Sequence, residues 1–494
     1  MKNFNLIICS IILSLAAGCG GGGGGGGNTP IVNPPPPVGG IGRTGIAMGP
    51  ITTFGSVVVN GVRYETSSAN FTVNGLPGSQ DDLNVGQVVT VSGTIDDNGV
   101  DGDADEVNFD DNVKGPVQSI DTATSQIVVL GQTVLINPET SFDDSISPAS
   151  IDGLSVDDIV EVSGLVDSNG RITATRIELK PAGTEFEVLG IVSGHDMGNF
   201  QFNINDLVVD YSGATLDNDF PGGQINDGDF VEAKGMSLNI DGELVATEVD
   251  LKNALPDVAD GVHVEIQGFI TRFTSATDFD VTGLPVTTTA NTVYEGGDVT
   301  DLGLNIKVEV EGDVDANGIL VATKVDIRRA KAVRATANVD SVNAGANSLE
   351  MLGITVSVDD LTRLEDKSSA DVRPLTLADI TAGNYIEVRG GEFPAGSGDI
   401  LATILERDDV DPGDPDPTIL QGFVEDPISD PSFTILGVMV QTGAGTIFRD
   451  VNDAVISSTD FFNQLAPNSL VKAKGSEVSD TVISATEVEF ELEF

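Results

Sequence analysis

Six times along the chain a strand-like segment closes on glycine, and a second begins 10 to 12 residues beyond it. The first segment reads VVTVSG (Val88–Gly93), IVEVSG (Ile159–Gly164), FVEAKG (Phe230–Gly235), KVEVEG (Lys307–Gly312), YIEVRG (Tyr385–Gly390) and LVKAKG (Leu470–Gly475). The second reads ADEV (Ala104–Val107), ATRI (Ala174–Ile177), ATEV (Ala246–Val249), ATKV (Ala322–Val325), ATIL (Ala402–Leu405) and ATEV (Ala485–Val488). Self-similarity at a fixed period divides a chain into supersecondary units. Here it divides 494 residues into about six small β-domains.

The unit at 112–182 shows the plan most clearly. Val113–Ile120, Ile127–Leu130, Thr133–Ile136, Val156–Gly164 and Arg171–Leu179 read as five strands, with a polar excursion over Pro138–Leu154 that has room for one short helix. Asn169-Gly170 is expected to supply a type I′ hairpin turn. Five strands with an excursion between the third and fourth predict a Greek-key barrel of oligonucleotide/oligosaccharide-binding (OB) type, and closure hides sheet edges from neighbouring domains. A small β-sandwich or roll is the alternative. The glycine is expected to mark a bulge or close backbone approach, and the alanine to keep a crowded wall small. Ser458–Leu465 is expected to form a helix capped by Ser458 or Thr459, with Phe461, Phe462 and Leu465 facing the core.

The predicted β-domains span residues 44–111, 112–182, 185–253, 262–329, 332–409 and 418–494. Residues 410–417 lie in an acidic, proline-broken linker that should be stiff. The short joints elsewhere predict neighbours in contact along a curved rod.

Residues 1–19 read as a secretory leader: Lys2, then an apolar run over Leu6–Ala17 that is short of the roughly 20 residues a span requires. It ends in Leu15-Ala16-Ala17-Gly18-Cys19, which resembles a bacterial lipobox. The resemblance implies that Cys19 is lipidated and that Gly20, where aspartate would signal inner-membrane retention, directs the chain to the outer membrane. Cys9 leaves with the leader, so no disulfide is expected. Residues 20–43 form a tether, flexible through Gly20–Gly27 and stiff through Pro34–Pro37.

Asp and Glu number 77 against 24 Lys and Arg, a formal net charge of −53. Such a field repels phosphate polymers, so nucleic acid is excluded as a partner. There is no Trp and only four Tyr, which leaves few aromatic platforms for sugars or single strands. Phe54, Tyr64, Phe71, Phe186 and Phe269 do not recur in register. Only His195 and His263 exist; each is expected to be solvated, and no catalytic motif accompanies either. The acidic segment Asp96–Glu106 offers oxygen ligands at Asp97, Asp101, Asp103 and Asp105 of a kind that suits Ca²⁺, although it departs from an EF-hand loop and sits where other units have a plain hairpin turn.

With its lipobox, Gly/Pro tether and six GD.VEV.G plus AT.I pairs in register, the chain resembles the bacterial lipoprotein family of tandem small β-barrel domains catalogued as domain of unknown function 5666. The resemblance covers residues 44–494 and implies no established activity or catalytic residue. The expectation is a non-enzymatic, outer-membrane, lipid-anchored protein, periplasmic or surface-facing. It would act as an extended scaffold or multivalent stalk for an envelope protein or glycan. The alternative is a glycan- or peptide-binding OB-like module, calcium-assisted in one version; an enzyme is the remote alternative.

Overall fold

The computed structural model describes residues 43–491 except 97–98, 123, 254–257, 329–331, 360, 395, 411–412, 414–416 and 452–453. The leader, Cys19, the tether as far as residue 42, Asp97 and most of the acidic linker lie outside the described residues; Arg43, placed at the end of the tether, opens the first strand instead. The fold is all-β, as expected, and its units are OB-like barrels rather than sandwiches.

In barrel 2 the strands are Val113–Asp121, Gln126–Val129, Gln132–Leu135, Ile159–Val166 and Ile172–Leu179. The first pairs antiparallel with the second, the second with the third, the third parallel with the fifth, the fifth antiparallel with the fourth, and the fourth with the first. That ring is the OB order. It recurs in barrels 1, 3, 4 and 6. Barrel 5 follows it with its opening strand divided into Val333–Asn338 and Ser341–Asn343. Alternate side chains fill each interior: Val113, Val117, Ile127, Val129, Val134, Val160, Val162 and Ile177 are fully buried in barrel 2.

The signature residues meet across one strand pair. Gly93, Gly164, Gly235, Gly312, Gly390 and Gly475 stand directly opposite Ala104, Ala174, Ala246, Ala322, Ala402 and Ala485. A Cβ on any of these glycines would lie 2.1–2.4 Å from a carbonyl oxygen of the facing strand, closer than atoms can pack. The fourth strand does not end there but runs on past the glycine, as in Ile159–Val166. The register shifts at that point, and the extra residue is on the fifth strand: Ser163 pairs with Arg176 and Gly164 with Ala174, which leaves Thr175 as the bulged residue.

The bulged threonine has a task that sequence alone did not suggest. Its hydroxyl donates to the carbonyl before the glycine: Thr175 to Ser163 (3.0 Å), Thr247 to Lys234 (3.2 Å), Thr323 to Glu311 (3.0 Å), Thr403 to Arg389 (3.0 Å) and Thr486 to Lys474 (3.2 Å). A second hydroxyl, from the excursion, donates to the signature alanine carbonyl: Thr140, Thr292, Thr362 and Thr446. The bulge frees carbonyls from the ladder, and hydroxyls replace the lost donors. Thr175→Val, which keeps shape and removes the donor, should cost about 1 kcal/mol in urea denaturation.

Two local expectations shift. At Asp167–Gly170 only Gly170 has positive φ, so the turn is not type I′; the Asp167 carboxylate instead accepts from the amides of Asn169 and Arg171. Asn239 and Asp315 organise the same loop in barrels 3 and 4. The helix forms over Ser458–Gln464, but its cap is Ser457, one residue earlier than expected, accepting from the Asp460 amide. Phe461 is fully buried, Leu465 is buried and Phe462 partly so. Phe461 packs 4.6 Å from Phe490 and 5.2 Å from Phe448, centroid to centroid.

The rod is not what forms. The described residues form one compact unit in which barrel 1 pairs with barrel 4, 2 with 3, and 5 with 6. Each junction joins opening strands: Gly45–Met48 runs parallel to His263–Ile266, Val113 and Lys114 face Val188 and Glu187, and Arg334–Thr336 face Gln421–Ile419. The opening strand is bent, pairing with the fourth strand through its first half and the second strand through its second half. Closure therefore leaves one short edge unpaired, and an edge of free N–H and C=O groups is satisfied by another edge. The interiors of barrels 2 and 3 merge into one apolar core, as do those of 5 and 6.

Candidate functional site

Between barrels 2 and 5 the chain buries charge. Arg176, carried on the fifth strand beside the bulge, lies 2.5 Å from Glu178 and 3.2 Å from Glu365 of barrel 5, and donates to the Val85 carbonyl of barrel 1. Arg389, immediately before a signature glycine, binds Glu387 (2.5 Å) and Glu406 (3.2 Å) and donates to the carbonyls of Pro138 (3.2 Å) and Thr140 (2.7 Å) in barrel 2. Lys367 pairs with Glu406 at 3.0 Å and donates to the Phe142 carbonyl at 3.1 Å. Lys307 of barrel 4 pairs with Glu139 of barrel 2. Arg363 donates to the carbonyls of Thr175 and Glu139.

The electrostatics follow from burial and partners. Burial opposes ionisation of Glu387, but the guanidinium groups of Arg334 and Arg389 outweigh it and hold the carboxyl down at about 2. Burial pulls the Arg363 guanidinium down to about 10 against the attraction of Glu139. In so acidic a chain, these cations are spent as locks between barrels. Sequence reading missed them because nothing in their local sequence sets them apart from other strand and loop cations. Arg176 and Arg389 lie inside the signature segments themselves, but nothing in those segments marks their partners on another barrel.

Asp101 and Asp103 follow one another along the outer side of the strand Asp101–Phe109, and Asp105 is the bulged residue of that strand, where other barrels have threonine. The acidic segment is thus half strand rather than a loop that could wrap an ion. Arg63 lies 3.5 Å from Asp101. Among the described residues, these three carboxylates do not converge; Asp97 lies outside them.

His195 is half-exposed, its Nε2 2.6 Å from the Tyr211 hydroxyl. His263 is not solvated, contrary to expectation: it is 7% exposed, because the barrel 1 edge packs against its strand. Its Nδ1 is 2.9 Å from Asp313 Oδ1, and its Nε2 is 3.6 Å from both Glu265 Oε1 and Glu311 Oε1. Among the described residues, His263, Glu265 and Glu311 form the one group of three whose ligand atoms could meet on a single ion.

Two clefts open between barrels. One, of about 1030 Å³, lies between barrels 5 and 6 and is lined by residues such as Leu352, Glu392, Asp399, Phe423, Glu425 and Asn468. The other, of about 640 Å³, carries Arg334, Arg389, Arg449 and Lys472, each already paired with a carboxylate. Neither holds a nucleophile–base pair among its described lining residues.

No curated protein matches the chain. Among solved structures a match is found to "drosophila Unr CSD456", at 12% identity over 44% of this chain and 97% of that one, with a TM-score of 0.12; so weak a superposition carries no argument. The family model described as "Domain of unknown function (DUF5666)" matches at residues 48–107, 114–178, 190–250, 253–326, 336–406 and 421–489, one match for each barrel and most of the chain. The chain is a member of the DUF5666 family, carrying six copies of its domain.

Proposed function

We propose that this protein is a non-enzymatic envelope protein, anchored by lipid at Cys19, whose six-barrel body is a rigid, multivalent interaction scaffold. The observation that carries this reading is where the recurring residues are used. Gly164, Ala174 and Thr175 and their counterparts are consumed in closing the barrels, and Arg176, Arg389 and Lys367 in locking barrel to barrel. What faces solvent is acidic and differs from barrel to barrel, which favours several weak contacts over six copies of one site. The body is compact, so those contacts would be displayed around a block rather than along a stalk. A second reading, a glycan or peptide ligand, is favoured by the cleft between barrels 5 and 6.

Cys19→Ala should move the protein from the membrane fraction to the soluble fraction and abolish incorporation of labelled palmitate. Unchanged membrane association would overturn the anchor. The immobilised full chain should retain an envelope protein or glycan from a detergent extract, and retention of neither would remove the interaction role.

A further inference from the structure

The outer side of barrel 4 holds a charge arrangement that its equivalents lack. At the same cross-strand position Glu187 faces Lys234 in barrel 3 and Ile419 faces Lys474 in barrel 6, while in barrel 5 two arginines, Arg334 and Arg389, face each other and share the Glu387 carboxylate between them. In barrel 4, Glu265 faces Glu311, with His263 facing Asp313 next to it. Two carboxylates directly opposite each other repel unless something positive stands between them.

The histidine is set up for that role. Asp313 accepts from Nδ1, so in the neutral imidazole the Nε2 lone pair is turned towards Glu265 and Glu311. The 3.6 Å separations are too long for hydrogen bonds. They match the edge of a coordination polyhedron instead: ligands about 2.1 Å from a tetrahedral ion stand about 3.4 Å apart. A carboxylate behind a ligating imidazole fixes its tautomer and raises its basicity.

A second observation is independent of the cluster. Glu265 is 6% exposed, and its Oε2 is fully buried with no hydrogen-bond partner among the described residues. The hydroxyl of Tyr64, wholly buried in barrel 1, is likewise unpartnered. A buried, unpaired carboxylate oxygen is costly without a counter-ion. The nearby cations are committed elsewhere, Lys324 to Glu295 at 2.9 Å and Arg328 to Glu309 at 2.8 Å. The Glu311 and Asp313 side chains are 39% and 49% exposed, which gives an ion a route in.

We propose that His263 Nε2, Glu265 and Glu311 bind a divalent first-row transition ion of the Zn²⁺ class, with Asp313 as the positioning residue behind the histidine. One imidazole with two carboxylates suits Zn²⁺, Co²⁺ or Mn²⁺ and disfavours Ca²⁺, which takes oxygen ligands only. Three protein ligands leave a fourth position for water. The ion would neutralise the Glu265–Glu311 pair beside the junction of barrels 1 and 4, and so tie metal binding to the stability of that junction.

The test uses the purified full chain, stripped with chelator and titrated calorimetrically with Zn²⁺ in excess Ca²⁺, which saturates loose sites on the acidic surface. One equivalent should bind, and the melting temperature should rise with Zn²⁺ concentration. Co²⁺ should give visible absorption bands of a tetrahedral or five-coordinate site. Glu311→Gln, at a part-exposed position, should fold, lose at least tenfold in affinity and lose the Co²⁺ bands; Asp313→Asn should weaken binding less. Equal binding by wild type and Glu311→Gln would overturn the proposal. So would the absence of a saturable Zn²⁺ site; a His263 imidazole that then stays protonated well above pH 6.5 by NMR would make a proton the occupant.

Discussion

Replacing Gly164 by valine should cost about 3 kcal/mol or more of stability, because side-chain atoms would be placed where backbone already stands. A Cβ there would meet the Thr173 carbonyl oxygen at 2.4 Å and Ile172 Cγ2 at 2.8 Å. Neither is the free end of a flexible chain, so one of the two strands must move. Moving either breaks the pairing of Gly164 with Ala174 and the Thr175–Ser163 hydrogen bond. Barrel 2 contacts barrels 1, 3, 4 and 5, so the loss should spread beyond one unit. Gly213→Ala is the control. Nothing lies within 4 Å of that added Cβ, and the change should fall within about 0.5 kcal/mol in urea denaturation. Equal effects at the two sites would remove the close-approach account of the signature.

Truncating Arg389 to alanine should cost about 3–5 kcal/mol, the range for breaking a buried ion pair by removing one partner. The side chain is 5% exposed and serves two carboxylates and two carbonyls on two barrels. Arg389→Lys should recover roughly half of that, because an ammonium keeps the charge but cannot reproduce the fork. Salt should change these losses little, since buried pairs are screened weakly. Amide hydrogen exchange should rise at Glu139, Thr140 and their neighbours if the barrel 2–5 lock is what fails.

The same network sets the response to acid. The folded pKa of Glu387 is about 2, below its ordinary 4.5. Its contribution is therefore full above pH 4.5 and is lost as pH falls through about 2. Glu309 works in the opposite sense: burial raises it to about 7, so the native state holds the proton more tightly, and acidification from pH 7 to 4.5 stabilises barrel 4. Thermal melts should thus hold or rise on going from pH 7 to 4.5 and fall steeply only towards pH 2. A steep loss between pH 6 and 4 would contradict the lock.

How much of this was legible in the sequence follows from the range of each interaction. Gly164, Ala174 and Thr175 lie within 12 residues of one another and meet through one hairpin, so their recurrence was visible as a pattern. The role of Thr175 was not, because a hydroxyl reads as a surface residue until the bulge beside it is known. The Ser457 cap was missed by one residue, since Ser457, Ser458 and Thr459 offer the same chemistry. The lock was illegible: Arg389 meets Thr140 across 249 residues, and nothing in strand periodicity records it. His263 likewise read as a strand-opening residue and became a buried one only through the barrel 1 edge.

The sequence by itself determined the unit: six barrels of one order, with turn, bulge and wall residues in register. Closure is a local problem, solved by residues inside each copy. Only the tertiary structure decided the partnership of 1 with 4, 2 with 3 and 5 with 6. Every barrel leaves the same short edge open, and backbone edges carry no sequence label. Side-chain charge and apolar fit between residues far apart in the chain choose among them, and that choice brought His263, Glu265, Glu311 and Asp313 under cover on one barrel alone.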